Sequence, residues 1–157
     1  MQAQILAPGA VLIVWSLVVL FWIVAVRFPA MAALRHSAGS GGGVGLGAAK
    51  PGGRGQDLEG RIPDRAVWPA HNYTHLMEQP TLFYAAIVIL ALTGADRADV
   101  VAAWLYVGLR VVHSLWQGLV NTLPVRFALF LASSLALIFL AARAVMQTLF
   151  ATGGAPL

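Results

Sequence analysis

Tyr106–Arg126 reads YVGLRVVHSLWQGLVNTLPVR, an apolar helix with an arginine and a histidine inside it, followed by a short turn that ends in Pro-x-Arg. Arg110 and His113 are three residues apart and share a helix face, and Gln117 follows about a turn later on roughly the same side. An ionisable side chain within a membrane span is costly unless it faces protein or water, so it marks a functional site by default. The rest of the chain reads as the scaffold that makes these charges tolerable.

Composition points the same way. Of 157 residues, 59% are hydrophobic and only 10% are charged, with a mean hydropathy of +0.79; a soluble globular chain carries about 25% charged residues. No cysteine is present, which excludes disulfides, thiolate metal sites and a cysteine nucleophile from the protein itself. The net charge of +4 comes without any basic run, so it is not a nucleic-acid signal. It carries topology instead.

Taken outward from the central stretch, the sequence predicts an all-α fold: one four-span membrane domain over residues 1–157. Ile5–Val26 has no charge and is long enough to cross a hydrocarbon core of about 30 Å. No basic residue precedes it and Arg27 follows it, which suits a retained first span better than a signal peptide. The helix is expected to continue to about Arg35. A glycine-rich segment over about 36–64 follows, expected to be a flexible loop because glycine at this density adds backbone entropy and no packing. Its spacing does not fit a phosphate-binding loop.

The second span is expected over Arg65–Thr93. His71, His75 and Glu78 form one stripe along it. A polar stripe turned toward lipid would be expensive, so it is expected to face the bundle interior, with Pro80 as a possible kink point. GADRAD, Gly94–Asp99, is a polar turn. The third span then runs from about Val100 to Val120, and Pro124 opens the fourth, which continues to about Phe150. Arg143 is expected to snorkel near the far end of that helix.

Arg27, Arg35, Lys50, Arg54, Arg61 and Arg65 surround the first connection, whereas the second holds Arg97 with Asp96 and Asp99. By the positive-inside rule the first connection and the Asn121–Arg126 turn are cytoplasmic and both termini lie on the other side. The polar residues therefore gather toward the cytoplasmic ends of the second, third and fourth spans.

Glu78 is expected to pair with Arg110, since a neighbouring guanidinium favours the charged carboxylate. That pair reads either as a buried ion pair fixing helix register or as part of a hydrated ligand pocket. His71, His75 and Glu78 resemble half a metal site, but no HExxH pattern or second histidine pair completes one; hydrogen-bonding histidines near the interface are the plainer reading, and no metal is expected. Arg126 reads either as a positive anchor or as a guanidinium that holds a carboxylate or stabilises a thiolate. Its place near a helix N-terminus opposes the helix dipole, which an anionic partner would offset.

With this set assembled, the chain resembles the family of membrane-associated proteins in eicosanoid and glutathione metabolism, especially its bacterial members. The matching stretches are HNYTHLMEQPTLF (71–83), YVGLRVVH (106–113) and LPVRF (123–127). The resemblance implies a trimer of four-helix subunits in a bacterial inner membrane. It also implies glutathione bound between subunits near the cytoplasmic side and an apolar electrophile or hydroperoxide taken from the bilayer. By motif, Glu78 matches the acid of the second span, Arg110 and His113 the Arg-x-x-His of the third, and Arg126 the thiol-activating arginine that opens the fourth; His75 joins them as a further binding candidate.

Departures stand beside these matches. Thr74 and His75 replace an arginine and an asparagine, Gln117 replaces a tyrosine, and Phe127 stands where a polar residue can follow the arginine. Two readings result. One is a glutathione-dependent transferase or peroxidase. The other is a non-catalytic membrane protein of the same fold, whose polar groups are structural or bind another polar ligand.

Overall fold

The computed structural model describes residues 2–37 and 54–150. Four helices are long and apolar enough to cross a membrane: α1 (Gln2–Ser37), α2 (Asp64–Thr93), α3 (Arg97–Leu119) and α4 (Leu123–Leu149). Among the described residues no strand occurs. The expected all-α membrane fold is therefore what the chain adopts. The glycine-rich core of the first connection, at 38–53, and the tail after Phe150 lie outside the described residues. Within the described part, His36 and Ser37 still belong to α1 and Gly55–Leu58 forms a 3-10 turn, so the segment expected to be one loop over 36–64 carries helix at both margins.

Each connection has a local chemical cause. Gly94 ends α2 in the left-handed region at φ 109°, and its amide donates to Leu90 O at 3.0 Å; glycine reaches that conformation without the Cβ clash. Asp96 and Asp99 then open α3 with a reciprocal capping box, both backbone-to-carboxylate bonds being 3.0 Å. α3 closes through Asn121, also left-handed at φ 60°, whose amide reaches Trp116 O at 2.8 Å. Pro124 lies in the first turn of α4, where its missing N–H leaves no bond unmade.

The helices pack around a core of Leu12, Val19, Leu76, Phe83, Leu90, Tyr106, Val107, Leu137 and Leu140. Much of the remaining surface is large apolar side chains, such as Phe21, Leu92, Val101, Leu135 and Ile138. In water such a surface would be an aggregation liability; it matches a bilayer environment. Gly118 allows α1 to approach α3 closely, since a Cβ there would meet the Trp22 ring at 2.3 Å. That approach sets the rotation of α3, and with it the direction of Arg110, His113 and Gln117.

Arg143 corrects an expectation. It does not snorkel: its Nε donates to Asp99 Oδ1 at 2.9 Å and its Nη2 to Asp96 Oδ2 at 2.6 Å, clamping α4 to the cap of α3. An acid within reach satisfies the guanidinium better than solvent at a distance.

Candidate functional site

At the end of the bundle away from Arg143, α2, α3 and α4 bring the polar residues together. The buried face of α3 carries Arg110, Ser114 and Gln117, one turn apart in succession, all nearly inaccessible. Arg110 Nε donates to Tyr106 Oη at 3.2 Å, one turn earlier. Its guanidinium carbon lies 5.4 Å from the Tyr106 ring centre and 5.3 Å from that of Phe130, and Phe83 stacks on Tyr106 at 4.4 Å. Aromatic faces attract a cation but do not replace a counter-ion.

Glu78 is not that counter-ion. The expected Glu78–Arg110 pair is absent: Glu78 Oε2 meets His75 Nδ1 at 3.1 Å, and among the described residues no carboxylate pairs with Arg110. The reason is rotational. The face of α2 that enters the core carries Asn72, Leu76, Pro80 and Phe83, which leaves His71, His75 and Glu78 on its flank. Their side chains are 43%, 41% and 61% exposed. The stripe expected to point inward thus points away from the bundle core.

The remaining candidates converge on His113. Its ring lies edge-on to His75 with centroids 6.4 Å apart, and Arg110, His75 and Arg126 all act on it through space. Arg126 is placed by the α3–α4 turn, where its Nη1 donates to Asn121 Oδ1 at 2.7 Å. Glu78, His75, His113, Arg110 and Arg126 therefore form one neighbourhood, joined through His75 and His113. Among the described residues no group of three His, Asp or Glu side chains is placed to hold a metal ion.

What distinguishes this end is unmet hydrogen-bonding capacity. Arg110 Nη2, Arg126 Nε, Arg27 Nε, Asn72 Oδ1, Gln79 Oε1 and Gln117 Oε1 are buried and make no bond to the protein. Each such atom costs about 1–3 kcal/mol when it stays unmatched. Gln79 lies at mid-span on the α2–α4 side, bonded to Ser134; the other three donors and two acceptors suit water or a ligand with both polarities.

Several contributors were not apparent from spacing. Asn72 Nδ2 and Trp15 Nε1 both donate to Ser114 Oγ, at 2.5 and 3.0 Å, tying α1, α2 and α3 together beside His113. Ser114 lies one turn beyond Arg110, so the helix period alone could have marked it as interior. Arg27 reaches across to the Gly55 carbonyl. Beside it is a polar recess of about 280 Å³, lined by Arg27, Gly55, Gln56, Glu59, His71 and Thr74. Glu59 Oε1 meets His71 Nε2 there at 2.7 Å, so His71 adjoins this recess.

Comparison with known proteins agrees with the arrangement of spans and motifs. The MAPEG family model matches residues 5–146. The chain belongs to the MAPEG family. It is a multi-pass membrane protein of the group named for eicosanoid and glutathione metabolism. No curated protein and no solved structure matches it. Within this MAPEG chain, the arginine of α3 and the arginine that opens α4 stand at the same end as the acid of α2, although the acid is engaged by His75.

Proposed function

We propose that the protein binds glutathione at this end of the bundle and presents its thiol to an apolar, membrane-dissolved electrophile or hydroperoxide. The observation that carries the reading is Arg110: a guanidinium enclosed in the subunit, without a carboxylate partner, with Nη2 unbonded. A buried cation without its anion is unstable unless something supplies one. Glutathione carries two carboxylates, an ammonium and a thiol, and this end offers complementary groups.

Arg110 and Arg27 are suited to the carboxylates, the outward-facing Glu78 to the ammonium, and Arg126, through its free Nε, to the sulfur as thiolate. His113 and His75 line the space between these groups and support their orientation. With an electrophilic carbon, the thiolate forms the C–S bond as a leaving group departs with its electron pair, or as an activated double bond shifts its pair to the neighbouring atom, which takes up a proton. With a hydroperoxide, sulfur takes the terminal oxygen, an alcohol leaves, and a second thiol completes the reduction.

The outward position of His71, His75 and Glu78 supports a site completed by a neighbouring copy, in a homotrimer. Six basic residues around the first connection support placing this end in the cytoplasm and both termini across a bacterial inner membrane. A second reading, a non-catalytic protein of the same fold, draws on one observation: Thr74 Oγ1 is spent on the Ala70 carbonyl and His75 on Glu78, as in groups that only stabilise helices.

Calorimetric titration of glutathione into purified wild type and Arg126→Ala, in one detergent, separates the two. Saturable binding that Arg126→Ala weakens at least about tenfold, roughly 1.4 kcal/mol, is the expected result. A folded oligomer with flat traces would leave the second reading.

A further inference from the structure

A different feature occupies the opposite membrane face. Arg97, Val100, Val101 and Trp104 stand at i, i+3, i+4 and i+7 on α3, and with Gln4 and Ala7 of α1 they line a groove of about 520 Å³. Asp96 and Asp99 flank Arg97 in sequence, but both are drawn to Arg143 on the α4 side of the turn. Arg97 makes no ion pair or hydrogen bond among the described residues and is exposed. Trp104, two turns deeper and about 10 Å along the axis, is 45% exposed, and its indole N–H likewise has no partner among the described residues.

From top to bottom the groove presents a cation beside an amide, then an indole donor, then apolar walls. We propose that it holds one anionic glycerophospholipid. The headgroup phosphate sits on Arg97 with Gln4 beside it, a glycerol ester carbonyl accepts from the Trp104 indole, and an acyl chain follows Ala7 and Val101. Interfacial tryptophan and a basic residue at the headgroup level are the usual anchors of such a contact. Net negative charge is what selects the lipid, because a zwitterionic headgroup brings its own cation to Arg97. This site is independent of glutathione.

Native mass spectrometry of the detergent-purified protein, supplied with equal phosphatidylglycerol and phosphatidylcholine, tests the assignment. Wild type should retain phosphatidylglycerol about fivefold over phosphatidylcholine, the factor equivalent to the ~1 kcal/mol of one basic residue at an anionic surface. Arg97→Gln should bring the two lipids to parity, and Arg61→Gln, at the other end of the molecule, should retain the preference. Inorganic phosphate should not displace the lipid. Equal retention by wild type, an unchanged preference in Arg97→Gln, displacement by phosphate, or an oligomer that retains no lipid would each overturn the proposal.

Discussion

The two ends of the bundle treat their polar groups in opposite ways. At the α2–α3 turn, Asp96, Asp99 and Arg143 satisfy one another, Gln147 Nε2 donates to Gly94 O at 3.0 Å and Thr93 Oγ1 donates to Gln147 Oε1 at 2.7 Å. At the α3–α4 end, five buried polar atoms, Arg27 Nε, Asn72 Oδ1, Arg110 Nη2, Gln117 Oε1 and Arg126 Nε, have no protein partner. One end is closed by its own side chains. The other is left chemically incomplete, and incompleteness is where a ligand gains most, because it supplies bonds the apo chain lacks.

That contrast can be broken most strongly at the closed end. Asp99 is fully inaccessible, holds Arg143 through both oxygens and caps the Asp96 amide. Asp99→Ala should lower the unfolding free energy by about 3 kcal/mol, read by sodium dodecyl sulfate titration, and leave glutathione affinity unchanged. A loss of affinity of the same size would mean the ends are not independent.

Arg110→Met should behave in the reverse manner. Removing an uncompensated charge offsets the lost bond to Tyr106, so apo stability should stay within about 1 kcal/mol of wild type. Glutathione binding should fall at least about tenfold, or roughly 1.4 kcal/mol. A larger loss of apo stability would make Arg110 a structural residue.

Gln117→Leu is a smaller test. It removes an orphan acceptor from an enclosed position, and the apo chain should gain about 1 kcal/mol in the same titration. No gain would mean that water already satisfies this amide.

The smallest effect is in acid. The backbone amide of Asp99 holds the Asp96 carboxyl below the ordinary carboxylate value; burial opposes it, and the charge of Arg143 assists. A lowered folded value means that Asp96 contributes its full stability above about pH 3.9, the unfolded value. The contribution is lost as pH falls through the lower folded value. Asp96→Asn should therefore flatten the acid side of a pH–stability profile and leave the neutral plateau's slope unchanged.

The four spans were legible because hydropathy and length suffice for them, and the place of Arg126 at the opening of α4 was legible because Asn121 and Pro124 mark the turn before it. The pairing of Glu78 was not. Helix period put Glu78 and Arg110 on definite stripes, but only packing decides which stripe enters the core, and Leu76, Pro80 and Phe83 turned α2 by enough to separate the two. Tyr106 shows the limit from the other side: four residues before Arg110, it was within reach by spacing, yet spacing does not fix the rotamers that bring hydroxyl and guanidinium together. Arg143 and Asp99 are 44 residues apart, a separation over which spacing carries no information.

The same separation gives the clamp a bearing on biogenesis. When α3 enters the membrane, its two opening carboxylates have been synthesised but the cation that satisfies them has not. A nascent chain halted before residue 143 holds an acid destined for enclosure with nothing to neutralise it, so that end cannot close. Arrival of α4 thus supplies the counter-ion that lets this end close.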